Sequence, residues 1–291
     1  NWKVTPPSWR SDIVREVDLI EELVRVHRYD QVPTRAPQAA LHVPAVPESR
    51  IAASRLRAVL IDRDYQEAIT YSFVDPALQS VISPGSAPHT LTNPIASDMA
   101  QMRLTLWPGL IKAALYNQNR QQGRVRLFEI GRRFLASPGG GADEQPVIAG
   151  IAMGPAFPEQ WGAKARPVDF FDVKGDVEAL LALGGQRQFG FRPARYPALH
   201  PGQTAEIFQI DSVDDPAGVI GVLHPDIQVK TGLEKSVILF ELRLSALQAA
   251  IVALRNAADA PSSELSGGST GNTPSELTGG MFDRYGLHQR I

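Results

Sequence analysis

A helical repeat of apolar and polar residues begins close to the start of the chain. From Asp18 onward, Ile20, Leu23, Val24 and His27 recur every three or four positions, while acidic residues and one arginine occupy the opposite stripe. A repeat of this period predicts an amphipathic helix. One face of this helix is expected to pack and the other to be acidic.

Further elements are predicted after residue 50. Residues 51–61 and 108–119 have the pattern of helices that bury one side, and residues 168–181 combine acids at a helix start with apolar positions. The segments 65–76, 125–134, 147–152 and 237–242 are rich in β-branched, aromatic or other apolar residues and predict strands. A hairpin loop is predicted at 138–141 and a last helix at 246–254.

Four carboxylates are predicted to lie close together around the first helix. Asp12 lies before the helix, after a segment that a double proline makes extended, and a turn would bring it beside Glu21 and Glu22. Carboxylate oxygens suit Mg²⁺, and like charges this close favour a cation between them. The alternative, which the spacing alone favours, is a solvated acidic face whose first-turn acids, including Asp18, interact with the helix dipole.

Composition limits the classes of function. The chain has 291 residues, of which 43% are hydrophobic and 21% charged, enough for one large or two ordinary domains with a real core. Its 29 Lys and Arg against 31 Asp and Glu give a net charge of −2, so RNA contact must be local or made by a partner. The absence of cysteine excludes disulfides and thiolate zinc sites, and no apolar run approaches the roughly 20 residues of a membrane span.

A set of motifs carries a specific family resemblance. Residues 6–13 read PPSWRSDI and are followed by EVDLIEE at 16–22 and YDQVP at 29–33. Later motifs read YQEAITYSFV at 65–74, MRLTLWPGLI at 102–111, LFEIGRRF at 127–134, DFFDVKG at 169–175, HPGQTA at 200–205 and GVLHP at 221–225. Together they resemble the beta subunit of bacterial phenylalanyl-tRNA synthetase, from the end of its B5 domain to about residue 255.

The resemblance implies an α+β fold in which a class II aminoacyl-tRNA synthetase-like antiparallel sheet is flanked by helices. It implies the C-terminal part of a B5 domain at 1–34 and a non-catalytic class II synthetase-like module at 51–255. Between them, three prolines among small residues predict a linker at 35–50. The Ser-, Gly-, Thr- and Pro-rich residues 256–291 are expected to be a disordered tail. Residues 1–4 (NWKV) do not begin with methionine and have the pattern of a strand in the middle of a domain. The chain is therefore interpreted as a fragment of a longer subunit.

The resemblance also implies a function. The family joins phenylalanine to tRNA(Phe) with ATP and Mg²⁺ in a cytoplasmic α2β2 heterotetramer, and the alpha subunit carries the chemistry. The residues that match its magnesium ligands, shared with the alpha subunit, are Asp12, Asp18, Glu21 and Glu22. Ser11 departs from the family's usual phenylalanine, which predicts looser packing behind Asp12 without loss of a ligand.

No catalytic or ATP-binding residue is expected in this chain. The LFEIGRRF motif looks like a degenerate form of the strand that grips ATP in catalytic class II synthetases, so Glu129 and Arg132 are assigned no ATP contact. Two other functions stay open. The first is a magnesium-dependent phosphohydrolase that uses the four carboxylates directly and turns over without a partner, and the second is a non-enzymatic binding module.

Two further groups of residues have alternative interpretations. Asp169, Asp172 and Asp176 fall near one helical face, where a metal site is conceivable but helix-dipole partners are favoured. His200 and His224 each precede a proline, and no third ligand stands at useful spacing. They are therefore interpreted as turn-forming residues.

Overall fold

A computed structural model of the chain describes residues 2–39, 51–137, 139, 141–184 and 188–248. Its contacts divide it into two units, residues 1–46 and 47–291, each of which is described by itself. Most of the predicted linker at 35–50, the whole predicted tail at 256–291 and residues 249–254 of the last predicted helix lie outside the described residues. The beginning of that helix is present, since residues 244–248 are helical.

The first unit contains the predicted amphipathic helix. This helix, α1, spans Glu16–His27 and is followed by a 3₁₀ turn at Tyr29–Gln31. The expectation that one face packs is not met within this unit, because none of the α1 residues is buried and Ile20 and Leu23 are 50% and 70% exposed. The described residues 2–39 include no second α-helix and no strand against which this face could pack.

The second unit is built on a mainly antiparallel sheet, as expected. Seven strands follow the order β1-β4-β5-β9-β8-β7-β6, in which β1 runs parallel to β4 and every other pair is antiparallel. A separate pair joins β2 and β3. The strands are β1 Gln66–Glu67, β2 Phe73–Val74, β3 Gln101–Met102, β4 Val125–Ala136, β5 Ala142–Met153, β6 Phe189–Pro193, β7 Leu199–Gln209, β8 Ser212–Leu223 and β9 Val237–Arg243.

Helices flank both faces of this sheet. They are α2 Ala53–Ile61, α3 Pro76–Ile82, α4 Trp107–Gln118, α5 Phe170–Ala182 and α6 Pro225–Thr231. On one face, α2 and α5 bury apolar side chains with Phe128 and Phe240 of the sheet. On the other face, residues of α3, α4 and α6 form a second core with Ile151 and Leu239. Successive strand residues point to opposite faces, so the long strands β4, β5 and β9 contribute to both cores.

One predicted strand is largely wrong. Residues 65–76 form only the short strands β1 and β2 with an irregular stretch between them, and the Asp-Pro pair starts a helix that the sequence pattern did not predict. The Asp75 side chain accepts a hydrogen bond from the Ala77 backbone N–H at 2.9 Å, and Pro76 occupies the first turn of α3. Both features stabilise a helix N-terminus. The predicted strands at 125–134, 147–152 and 237–242 are confirmed within β4, β5 and β9. β4 and β5 pair as an antiparallel hairpin with Ala136 opposite Ala142, and residues 138 and 140 of the predicted loop lie outside the described residues.

Candidate functional site

An arginine lies between two of the four predicted magnesium ligands. The Arg10 guanidinium donates from Nε to Asp12 Oδ1 at 3.0 Å, and from one terminal nitrogen to Asp12 Oδ2 at 2.7 Å and to Glu22 Oε1 at 2.7 Å. Arg25 pairs with the second Glu22 oxygen at 2.5 Å. Asp12 and Glu22 therefore do come close together, with a side-chain cation of the same chain between them.

The other two predicted ligands have different surroundings. Asp18 Oδ2 accepts the backbone N–H groups of Val14 at 3.0 Å and Arg15 at 2.7 Å, so it caps the start of α1. These two hydrogen bonds hold the pKa of Asp18 below its ordinary value. Glu21 is exposed and takes part in none of these contacts. The helix-capping interpretation therefore describes Asp18 well, whereas Glu21 belongs to a solvated face.

The four carboxylates do not form one donor set in the single chain. Among the described residues there is no group of three or more His, Asp or Glu side chains placed to hold a metal ion. The geometry gives the reason, because the oxygens of Asp12 and Glu22 that face each other are engaged by Arg10 and the oxygen of Asp18 is turned to the backbone. A shared magnesium ion would require these contacts to rearrange.

Within the second unit, a buried ion pair joins β4 to the segment before α4. Glu129 accepts hydrogen bonds from Arg103 at 2.8 Å through one carboxylate oxygen and from the Thr70 hydroxyl at 2.7 Å through the other. The side chains of Arg103 and Glu129 are each 4% exposed, and Arg103 also donates to the Arg132 carbonyl at 2.9 Å. Glu129, to which no ATP contact was assigned, is thus committed to an internal ion pair.

Gly131 makes room for this ion pair. A Cβ atom at position 131 would lie 2.5 Å from a terminal nitrogen of Arg103 and 3.1 Å from a carboxylate oxygen of Glu129. Both distances are shorter than ordinary van der Waals contact, so the guanidinium passes over the strand at a point where only glycine leaves space. The glycine of the LFEIGRRF motif is therefore explained by packing.

A second buried carboxylate lies across the sheet from the first. Glu129 of β4 and Glu241 of β9 both pair with Ala149 of β5, so the two carboxylates occupy one row. Glu241 accepts the Thr105 hydroxyl at 2.6 Å and the Leu106 backbone N–H at 2.9 Å through one oxygen, and Arg133 at 2.9 Å through the other. It thereby satisfies donors at the start of α4 and places negative charge at the positive end of the helix dipole.

The aspartates of α5 have structural partners. Asp169 caps the helix by accepting the N–H groups of Phe171 and Asp172, and Asp172 accepts the Asp169 N–H and pairs with Arg166. Asp176, which the sequence did not separate from the others, is buried and accepts the Tyr65 hydroxyl at 2.9 Å. Burial raises the pKa of Asp176 above its ordinary value, although Arg126 at 2.8 Å opposes this shift.

The prediction that the histidines beside prolines form turns is confirmed for His224, which begins α6, whereas His200 lies within β7. His224 Nδ1 accepts the Asp226 N–H at 3.2 Å and caps α6, and His200 Nδ1 accepts the Gly202 N–H at 3.1 Å.

The residues with unexpected importance are arginines. Arg10 and Arg103 stand inside quoted motifs, and the one signal was the position of Arg10 two residues before Asp12. The extended segment predicted from the double proline is wrong at this point, because Arg10 and Asp12 lie in turns in which the Arg10 N–H donates to the Pro7 carbonyl and the Ile13 N–H to the Arg10 carbonyl.

Comparison with solved structures identifies the class of fold. The pyrrolysyl-tRNA synthetase of Desulfitobacterium hafniense superimposes with a TM-score of 0.52 at 12% sequence identity, over 70% of this chain and 66% of that chain. A second crystal structure of the same synthetase gives a TM-score of 0.51 at 12% identity, over 70% and 68% of the two chains. The fold is thus that of a class II-like aminoacyl-tRNA synthetase.

Sequence comparison identifies the family. A model described as the phenylalanyl tRNA synthetase beta chain CLM domain matches residues 32–244, and one described as the tRNA synthetase B5 domain matches residues 1–29. Phenylalanine–tRNA ligase beta subunits of Hahella chejuensis and Pseudomonas putida are 50% and 51% identical over 246 and 244 residues, which is 84% of this chain. The chain belongs to the phenylalanyl-tRNA synthetase beta chain family and spans about 30% of the length of these relatives.

In the part of the chain that the structure describes, no helix combines the length and the apolar character needed to cross a bilayer.

Proposed function

We propose that this chain acts as a scaffold and partner interface of a phenylalanine–tRNA ligase and does not carry out the chemistry itself. The observation that supports this best is the state of the buried carboxylates. Each oxygen of Glu129 and Glu241 accepts at least one hydrogen bond from the chain's own groups. A carboxylate that moves a proton or binds a substrate must have an oxygen within reach of that substrate, and these four oxygens are already used.

The reaction that we assign to the complete assembly is the ATP- and Mg²⁺-dependent joining of phenylalanine to tRNA(Phe). The name of the relatives, phenylalanine–tRNA ligase beta subunit, supports this assignment and an alpha-subunit partner. We propose an α2β2 heterotetramer in the cytoplasm, in which the alpha subunit binds ATP and carries the catalytic residues. The net charge of −2 is consistent with tRNA binding through the whole assembly and not through a basic field of this chain.

We further propose that Asp12, Asp18, Glu21 and Glu22 contribute magnesium ligands to a site that is completed when the alpha subunit binds. The closeness of Asp12 and Glu22, and the position of the other two carboxylates on the same helix, support this set. Arg10 occupies both oxygens of Asp12 and one of Glu22, and binding of the alpha subunit makes these oxygens available. Mg²⁺ commonly takes only some of its ligands from one protein element, which fits a site shared between two chains.

The test is size-exclusion chromatography of the full chain mixed with a bacterial phenylalanyl-tRNA synthetase alpha subunit in Mg²⁺. We expect the two to co-elute, and we expect the Asp12→Ala, Glu21→Ala double variant to weaken the complex. The control removes two other acids of the same unit by Glu16→Ala and Asp30→Ala and is expected to leave co-elution unchanged. Failure of the unmodified chain to form a complex would contradict the interface, and pyrophosphate exchange by the isolated chain would refute the non-catalytic role.

A further inference from the structure

The Arg10 side chain is less exposed than two other arginines of the first unit. It is 25% exposed, whereas Arg15 and Arg28 of the same unit are 74% and 71% exposed. The Arg10 backbone N–H donates to the Pro7 carbonyl at 2.9 Å, so a turn fixes the point from which the side chain extends. The guanidinium is thus directed toward the carboxylates by the backbone before them.

The shape of the guanidinium suits a bridging position. Its Nε and one terminal nitrogen take both oxygens of Asp12, and that terminal nitrogen also reaches Glu22. A planar fork of donors matches carboxylates in this way, whereas an ammonium group offers only a point charge.

We propose that Arg10 is an internal cation that holds Asp12 and Glu22 in the metal-free chain and competes with a divalent metal ion for them. A guanidinium has only donors, so it cannot ligate a metal ion, and its positive charge repels a cation that approaches the oxygens it holds. Arg10 then keeps the affinity of the free chain for metal low and protects the two carboxylates from mutual repulsion until the partner binds. This inference rests on the proposed function, because it concerns the same carboxylates.

The other role for Arg10 is purely structural, as an ion pair that fixes the turn between residues 7 and 22. The two roles predict opposite effects of removing the charge. If Arg10 competes with metal, its removal exposes two ionised carboxylates and metal affinity rises. If Arg10 only positions the carboxylates, its removal lets them move apart and metal affinity stays the same or falls.

Isothermal titration of the full chain with MgCl₂, without any partner, separates the two roles. We expect Arg10→Gln to bind Mg²⁺ about three- to tenfold more tightly than the unmodified chain, the range expected when exposed carboxylates are freed from ion pairs. The matched control is Arg28→Gln, which removes an exposed arginine of the same unit that pairs with Asp30. It is expected to leave the titration unchanged, and far-UV circular dichroism checks that all variants retain the same helix content.

The source of the gained affinity is tested by adding Asp12→Asn and Glu22→Gln to the Arg10→Gln chain. The gain should disappear, because the freed ligands are gone. Equal titrations of the unmodified and Arg10→Gln chains, including no binding by either, would overturn the inference, as would a gain that persists in the triple variant. Neither result bears on co-elution with the alpha subunit, so failure of this inference and failure of the proposed interface are distinguishable.

Discussion

Glu22 and Glu241 make similar contacts in very different surroundings. Glu22 accepts from Arg10 at 2.7 Å with its side chain 29% exposed, and Glu241 accepts from Arg133 at 2.9 Å with its side chain 5% exposed. Water can replace the partner of the first carboxylate but cannot reach the second. The same kind of ion pair is therefore exchangeable in the first unit and fixed in the second.

The energetic reason lies in desolvation. An exposed ion pair contributes little because water solvates the separated charges almost as well. A buried carboxylate has already lost its water, so it depends on every hydrogen bond that replaces that water. The buried carboxylates of the synthetase-like unit therefore stabilise its fold. The exposed carboxylates beside α1 can lose their arginine partner at little cost in free energy, because water replaces it.

The largest effect is expected from Glu241→Ala. This change leaves the Arg133 guanidinium, the Thr105 hydroxyl and the Leu106 N–H without their buried acceptor. We expect the free energy of unfolding to fall by about 3–5 kcal/mol, the usual result of removing one partner from a buried ion pair. Urea unfolding measures it, with Glu144→Ala as the control, since Glu144 pairs with Arg132 at a side-chain exposure of 48%. Equal losses in the two variants would contradict the distinction between buried and exposed pairs.

The buried carboxylates also show which features could be predicted from the sequence and which could not. Motif resemblance and local patterns predicted the antiparallel sheet, the flanking helices, a helix-start position for Asp169 and a turn at His224. The partners of Glu129 and Glu241 could not be predicted, because Arg103 is 26 residues from Glu129 and Thr105 is 136 residues from Glu241. Contacts at such separations depend on strand register, which no local pattern specifies.

The predictions for residues 65–76 and for the acidic cluster were incomplete for different physical reasons. Residues 65–76 have the composition of one strand, but the Asp75 cap and Pro76 favour the start of α3, and the strand breaks into two short pieces. For the acidic cluster, spacing indicated that Asp12 and Glu22 would approach each other. It did not indicate that Arg10 would lie between them, because the spacing of the carboxylates carries no information about where the side chain of Arg10 extends.

A smaller, pH-dependent effect is expected at Asp176. Burial raises its pKa in the folded chain above the ordinary value of 3.8, so the folded state holds this proton more tightly than the unfolded state. The stability contributed by Asp176 is therefore greatest below pH 3.8 and is lost as the pH rises through the folded-state pKa. Comparison with Asp176→Asn, which cannot titrate, isolates this contribution.

Urea unfolding of the unmodified and Asp176→Asn chains across the acidic range measures this difference. The advantage of the unmodified chain should shrink as the pH rises from the ordinary aspartate value and then become constant. The control is Asp172→Asn, because Arg166 lowers the pKa of Asp172 and gives the opposite sign. In that case the advantage should shrink as the pH falls. An advantage that shrinks as the pH falls at Asp176 too would show that burial does not dominate there.

The smallest effect on structure is expected from Arg10→Gln. Hydrogen exchange followed by mass spectrometry compares it with Arg133→Gln, which removes the matching arginine of the buried cluster. We expect little change in the exchange of α1 amides, because water replaces Arg10 at both carboxylates, and faster exchange at the start of α4, where Glu241 loses a partner while still bound to the Leu106 N–H. A large acceleration in α1 would mean that Arg10 holds the helix in place. Arg10 would then be a structural residue, and its displacement by a metal ion would cost too much free energy for the two to compete.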